Sequence, residues 1–167
     1  MKKEPYSPPA DQKHTVSIER MEQMMPLICE RLAAGQTVKF SPHGVSMLPM
    51  LRQGKDSVLL TSVKGALKKY DLPLYRRRNG QYVLHRIVKT GKTYICMGDN
   101  QFLPEPGIEQ DQLIAVVTAF TRGTKVCSVK SPVYRFYCFL WHHTRWIRRI
   151  WRGLKRRMKK LLVRRKN

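Results

Sequence analysis

The first periodic stretch of the chain is a run of apolar residues at helical spacing. In "SIERMEQMMPLICERLAAG" the apolar positions fall at steps of three and four, on one face of a helix. They are Met21, Met24, Met25, Ile28 and Leu32. Ser17 is expected to cap this helix and Gly35 to end it, while Pro26 is expected to kink it or to start a second piece. The pattern predicts an amphipathic helix that packs against a core or an interface.

After Gly35 the apolar spacing changes from helical to alternate positions, which is typical of strands. Turn residues separate the runs, and three hairpins are expected, at Asn79-Gly80, Gly91 and Gly123. The predicted strands cover roughly residues 36–41, 56–61, 72–77, 81–89, 93–97, 112–121 and 124–129. The fold class is therefore expected to be mainly β, with short antiparallel strands.

From Pro132 onwards the sequence becomes aromatic and then strongly basic. Its apolar positions again follow a helical stripe: Ile147, Ile150, Trp151, Leu154, Met158 and Leu161. The net charge of the chain is +22, and residues 132–167 contain thirteen Lys or Arg and no Asp or Glu. The pattern predicts a basic amphipathic helix. An anionic membrane surface is the favoured partner of this segment, and a protein partner and nucleic acid, which is less favoured, stay open as alternatives.

The length of 167 residues suits one hydrophobic core with appendages. We expect a flexible arm over residues 1–16, a domain over residues 17–131 and the basic amphipathic tail over residues 132–167. No secretory signal peptide is recognisable, and no apolar run reaches the length of a membrane span. The chain is thus expected at the cytoplasmic face of a membrane, as a peripheral protein. The four cysteines lack metal-ligand spacing, and no metal or cofactor is predicted.

Three short segments carry the candidate chemistry. "GVSMLP" sets Ser46 in a turn, "YVLHRIV" places His85 on a predicted strand among apolar residues, and "GDN" brings Asp99 after the next strand. A serine nucleophile needs a nearby base to take its proton and donors to hold the oxyanion. From these residues alone, Ser46 is either a turn residue or a nucleophile, and His85 either a core histidine or a base.

Together the three segments resemble the boxes of the S24 and S26 serine peptidases, which include signal peptidases and self-cleaving repressors. "GVSMLPMLRQGKDSVLL", "YDLPLYRRRNGQYVLHRIVKT" and "YICMGDNQFLPEPG" follow one another in the order of that family, over about residues 36–121. The resemblance implies an antiparallel β domain of the signal-peptidase and repressor type. It also implies Ser46 as nucleophile and His85 as general base, similar to the endoplasmic reticulum and SipW-like signal peptidases, where bacterial signal peptidases and repressors usually have lysine.

The remaining site residues follow from the same resemblance. The orienting acid would be Asp99, with Glu105 as the alternative. Gly44 stands where many signal peptidases have a serine that helps to bind the oxyanion, so the amide groups of Val45 and Ser46 would serve instead. Met47 would form part of the floor of the substrate cleft, and Gly44, Val45 and Pro49 would also line it. A histidine base predicts that activity is lost as the pH falls through about 6.5.

The function that these residues predict is that of a serine endopeptidase cutting a leader or signal-like peptide. The alternative is an S24-like regulator, non-catalytic or self-cleaving, that binds nucleic acid through the basic tail. The sequence leaves the substrate and the oligomeric state open.

Overall fold

A computed structural model describes the backbone of residues 10–164 and the side chains of residues 21–151, 153, 154, 157 and 158. The helices in this range are α1 (Ala10–Ala33), α2 (Pro132–His143) and α3 (Arg145–Arg164), with a short 3-10 turn at Gln110–Gln112. The strands are β1 (Val38–Phe40), β2 (Val58–Ser62), β3 (Pro73–Arg76), β4 (Tyr82–Leu84), β5 (Arg86–Lys89), β6 (Tyr94–Met97), β7 (Glu105–Ile108), β8 (Leu113–Arg122) and β9 (Lys125–Ser128).

The strands form two antiparallel sheets, which confirms the mainly β class. The larger sheet has the order β1-β2-β8-β3-β4, and β9 pairs with β8. The smaller sheet has the order β5-β6-β7. Strand β8 is the longest and pairs with β2, β3 and β9, so it joins most of the larger sheet. All three hairpins expected from the turn residues are present, between β3 and β4, β5 and β6, and β8 and β9.

The leading helix α1 packs most of its predicted stripe on the larger sheet, but Met24, expected in the stripe, is exposed. Met25, Ile28 and Leu32 are buried in the main core cluster with residues of β1, β2 and β8. At the end of the helix, Gly35 adopts a φ of 73°, and the amide groups of residues 35 and 36 bond back to the carbonyls of residues 32 and 31. This is the left-handed cap that a glycine supplies without a steric penalty.

Two expectations about α1 are corrected. The helix begins at Ala10, so Ser17 lies inside it and is not its cap, and residues 10–16 of the expected arm are helical. The helix also continues through Pro26 as one element, so Pro26 does not start a second helix. Residues 1–9 of the expected arm lie outside the described part of the chain.

Two strand predictions are also corrected. The expected strand 81–89 is broken at His85, because β4 pairs with β3 in the larger sheet and β5 pairs with β6 in the smaller one. Strand β7 was not predicted, since Pro104, Pro106 and Gly107 argue against a strand. It forms at the edge of the smaller sheet, with a register irregularity on its pairing with β6. An edge position tolerates a proline that cannot donate to the ladder.

Helix α2 belongs to the packed domain. The Ser131 hydroxyl accepts a hydrogen bond from the Tyr134 amide at 3.2 Å, and Pro132 follows in the first turn, both of which favour a helix start. Tyr134 and Cys138 are buried in the main core cluster. The domain therefore extends past residue 131, and α2 covers part of the larger core. No described helix is long and apolar enough to cross a membrane.

Candidate active site

Ser46 and His85 lie in the walls of the same cleft. The cleft has a volume of about 410 Å³ and borders the loop after β1, and Met47, Leu74 and Leu84 contribute to its apolar surface. The fold thus brings together two side chains that are 39 positions apart in the sequence. No hydrogen bond between described residues joins the Ser46 hydroxyl to the His85 ring.

The loop that carries Ser46 is held from both sides. Before it, the Gly44 amide donates to the Gln53 side-chain oxygen at 3.0 Å. After β6, the Asn100 amide donates to the Ser46 carbonyl at 2.8 Å, and the Asn100 side chain donates to the Val45 carbonyl at 3.1 Å. Within the described part of the chain, no hydrogen bond occupies the amide groups of Val45 and Ser46. These two amides are therefore available as oxyanion donors.

Gly98, the first residue of the GDN segment, packs directly against Ser46. A Cβ atom built on Gly98 would lie 2.7 Å from the Ser46 carbonyl oxygen and 3.1 Å from the Ser46 Cβ. Real Cβ atoms essentially never approach backbone oxygen this closely. The absence of a side chain at position 98 is therefore a condition for the position of Ser46.

His85 lies at the point where the chain leaves the larger sheet for the smaller one. His85 is only 3% exposed, and its neighbours Leu84 and Arg86 are buried as well. Its Nδ1 lies 3.3 Å from the Tyr75 hydroxyl and 3.8 Å from Oε2 of Glu105. A buried polar ring is stabilised by such partners, and they also fix its orientation.

The Tyr75 hydroxyl determines the tautomer of this ring. Its single proton is donated to Oε2 of Glu105 at 2.8 Å, and burial, followed by this hydrogen bond, holds the pKa of Tyr75 well above its ordinary value. The Tyr75 oxygen can therefore only accept from the ring, so Nδ1 of His85 carries the hydrogen. Nε2 is left as a lone pair, and no described residue hydrogen-bonds to it.

Glu105 is held in turn by Arg77. The guanidinium donates to the two carboxylate oxygens at 2.6 and 2.7 Å, a bidentate ion pair. Burial alone would raise the pKa of Glu105, but the hydrogen bonds from Arg77 and Tyr75 outweigh it and the pKa is lowered. Glu105 therefore stays ionised beside the imidazole at neutral pH.

The electrostatic balance at His85 favours the neutral ring. Burial lowers the pKa of His85 to about 4, although the Glu105 charge opposes this shift. The ring is therefore unprotonated at neutral pH, the state that a general base requires. The pH below which His85 is protonated, and can no longer act as a base, therefore moves from about 6.5 for an unperturbed histidine to about 4.

Asp99, the acid preferred from the sequence, has another partner. Its two carboxylate oxygens accept from Arg86 at 2.8 Å each, and both side chains are buried. The Arg86 guanidinium also donates to the Tyr134 hydroxyl at 2.6 Å and contacts the Cys138 sulfur at 2.8 Å. The geometry therefore favours Glu105 over Asp99 as the acid that supports His85, and it makes Asp99 part of a buried ion pair that joins the smaller sheet to α2.

The predicted cleft residues lie as follows. Gly44, Val45 and Met47 line the cleft with Ser46. Pro49 is exposed and is not among the residues that line it. Two lysines that could have been alternative bases, Lys89 and Lys92, are exposed at the β5–β6 hairpin.

The sequence did not single out Tyr75 or Arg77. Tyr75 follows Leu74 in β3 and looks like one more core residue, and Arg77 is one of three consecutive arginines. Only the packing of the two sheets, which brings β7 of the smaller sheet close to β3 of the larger one, shows that both side chains meet Glu105. Among the described residues, no cluster of His, Cys, Asp and Glu is arranged to hold a metal ion.

Comparison of the sequence with models of protein families, and with curated proteins, finds no match in either case. The likeness to S24 and S26 peptidases therefore stays a prediction.

Proposed function

We propose that the chain is a serine endopeptidase that cleaves a leader or signal-like peptide, with Ser46 as nucleophile and His85 as general base, on a signal-peptidase-like β domain flanked by helices. The observation that carries this proposal is that Ser46 and His85 line the same cleft, with His85 neutral and with no described residue hydrogen-bonded to its Nε2.

In the proposed reaction the Ser46 Oγ attacks the carbonyl carbon of the peptide bond, while its proton passes to Nε2 of His85. The amide groups of Val45 and Ser46 donate to the oxyanion that forms. The imidazolium then gives its proton to the amine nitrogen as the C–N bond breaks. In the second half, a water molecule attacks the acyl carbon while Nε2 takes its proton, and His85 returns this proton to the Ser46 Oγ as the ester bond breaks. Catalytic hydrogen bonds are often long before substrate binds, so the separate Ser46 and His85 side chains fit a free enzyme.

The Arg77–Glu105–Tyr75 network serves this reaction through the ring. While Nε2 holds the proton, the imidazolium charge develops 3.8 Å from the ionised Glu105. The fixed carboxylate opposes the cost of charging a buried ring. The Tyr75 oxygen keeps the Nδ1 hydrogen in place throughout, so that only Nε2 exchanges protons.

The test uses the purified full chain and a panel of leader peptides with small residues before the scissile bond, and mass spectrometry identifies the products. We expect defined cleavage that Ser46→Ala abolishes and that His85→Ala reduces by about 10²- to 10⁴-fold, the usual contribution of a positioned base. Ser41→Ala is the matched control, because Ser41 is an exposed serine just before the loop. Identical products from the wild type and from Ser46→Ala would refute the proposal.

A further inference from the structure

The outer surface of α2 is apolar although the helix already has a buried face. Its inner side chains, Tyr134 and Cys138, pack in the core. On the other side, Val133, Phe136 and Leu140 form a row at helical spacing and are exposed, Phe136 to 66%. A row of large apolar side chains in contact with water marks an interaction surface.

Helix α3 continues with a second exposed apolar row. Ile147, Ile150, Leu154 and Met158 lie three or four residues apart and are all about half exposed or more, Ile150 to 62%. Trp146, next to the row, is also exposed. The helix contains ten Lys or Arg and no acidic residue in its twenty positions. Its sequence thus combines a continuous apolar stripe with many positive charges that no acidic residue offsets.

The start of α3 is attached to the domain near the candidate site. Arg145 contacts the Met97 sulfur at 2.9 Å, and Arg148 donates to the Asp99 carbonyl at 3.3 Å and to the Trp141 carbonyl. The Trp141 ring nitrogen donates to the same Asp99 carbonyl at 2.9 Å. The two helices therefore belong to the domain at their junction and present their apolar rows outside it.

We propose that the α2–α3 segment binds the surface of an anionic phospholipid bilayer, with the exposed rows in the boundary between headgroups and acyl chains and with the cations on lipid phosphates. A helix that combines an apolar row with many basic positions in its sequence is the kind that lies in the plane of a membrane. A second copy of this chain is a poor occupant, because each copy would bring thirteen like charges from residues 132–167. Nucleic acid would use the cations and leave the apolar rows in water.

The experiment is flotation of the full chain with vesicles of phosphatidylcholine alone or mixed with phosphatidylglycerol. A second assay measures binding to a DNA duplex, and sedimentation measures the oligomeric state. The test variant is the triple substitution Ile147→Ser, Ile150→Ser and Leu154→Ser, which keeps every charge. The control is Val126→Ser, because Val126 is also exposed, to 67%, but lies on β9. Circular dichroism shows whether each variant keeps its helices.

We expect binding to the anionic vesicles only, weakened by added salt, unchanged in Val126→Ser and reduced about tenfold or more in the triple variant. A second variant, Arg149→Gln with Arg157→Gln, leaves the apolar row intact and should also bind anionic vesicles less tightly. Three results would overturn the proposal: no vesicle binding, vesicle binding that is equal in the triple variant with its helices intact, or duplex binding in place of vesicle binding. If the wild type does not bind vesicles but forms a dimer, and the triple variant is a monomer, the apolar rows belong to an interface with a second copy of the chain. None of these results depends on peptidase activity.

Discussion

Replacing Tyr75 by Phe tests how the candidate base is held. The substitution removes one oxygen atom, which accepts from Nδ1 of His85 at 3.3 Å and donates to Glu105 at 2.8 Å. The ring of Phe keeps the packing of Tyr75, which is fully buried in the smaller core cluster. The change is therefore confined to the two hydrogen bonds.

Without that oxygen, the hydrogen on Nδ1 has no acceptor in bonding distance, because the nearest carboxylate oxygen, on Glu105, is 3.8 Å away. A buried donor left without a partner costs about 1–3 kcal/mol. This cost falls on the tautomer that has its lone pair at Nε2, which loses the hydrogen bond that favours it over the other tautomer. The ratio of the reactive tautomer to the other should therefore fall by up to about 5- to 150-fold, at about 1.4 kcal/mol for each factor of ten.

The assay is steady-state cleavage of the peptide that the wild type cuts, with the ring nitrogens of His85 observed by NMR. We expect kcat to fall by up to about two powers of ten, with little change in KM, since Tyr75 does not line the cleft. The NMR signals should show the hydrogen moving from Nδ1 to Nε2. Glu105→Gln should lower kcat as well, because it removes the charge that opposes the low pKa of His85.

Tyr94→Phe is the matched control. Tyr94 is buried in the same core cluster, and its hydroxyl donates to Gln110 at 2.7 Å and accepts from the Leu67 amide at 3.1 Å. The Tyr94→Phe variant loses a similar pair of hydrogen bonds, and neither of them involves His85. If Tyr75→Phe loses no more activity than Tyr94→Phe, or if the Nδ1 hydrogen stays in place, the argument that Tyr75 positions His85 is wrong.

Three further predictions follow from the geometry. Gly98→Ala should push Ser46 out of place, and since a displacement of about 1 Å can cost 10²-fold in rate, kcat should fall by that order. Gly91→Ala, whose new Cβ meets nothing closer than 3.7 Å, should not change it. Asp99→Asn should lower the free energy of unfolding in urea by about 3–5 kcal/mol, because it leaves its buried guanidinium partner unpaired; an equally stable variant without activity would instead make Asp99 catalytic. Activity should persist as the pH is lowered from 7 and halve near the pKa of His85, about 4; a midpoint near 6.5 would contradict the burial argument.

The same pKa shift predicts how stability depends on pH. An unfolded chain protonates His85 near its ordinary pKa of about 6.5, and the folded chain does so at about 4. Between these values the unfolded state binds more protons, so this residue makes the protein less stable as the pH falls. At 1.36 kcal/mol for each pKa unit, the loss approaches about 3 kcal/mol by pH 4. Urea titrations of the wild type and of His85→Phe would measure the difference.

Local patterns predicted most of the strands in the two sheets. Of the candidate site, the sequence singled out Ser46, His85 and Glu105, but not Tyr75 or Arg77. Alternating apolar residues and glycine turns predict hairpins, since both signals act within a few residues, and all three hairpins are present. The break at His85 was missed because Leu84, His85, Arg86 and Ile87 are all buried. Four consecutive buried residues cannot alternate between a core and a solvent face, so the strand must change its environment here, but the sequence does not show that the polar His85 and Arg86 are buried.

Long-range pairing could not be predicted. Tyr75 and Glu105 are thirty positions apart, and nothing local distinguishes this tyrosine from the other buried aromatic residues. The strand that begins at Glu105 was missed because Pro106 and Gly107 weaken its local pattern, although β6 supplies the partner that forms it. The sequence favoured Asp99 over Glu105 as the orienting acid for the same reason: it could not show that Arg86 donates to both carboxylate oxygens of Asp99.

The three residues of the GDN segment each hold a different part of the candidate site in place. Gly98 makes room for Ser46, and Asn100 fixes the carbonyls of the Ser46 loop. Asp99 pairs with Arg86, the residue next to His85, while its carbonyl accepts from α2 and α3. The Ser46 loop, the strand that follows His85 and the two helices proposed to meet the membrane thus converge on these three residues. Substitutions there should disturb the relative position of Ser46 and His85, and the accompanying loss of stability is what separates that effect from the loss of a catalytic carboxylate.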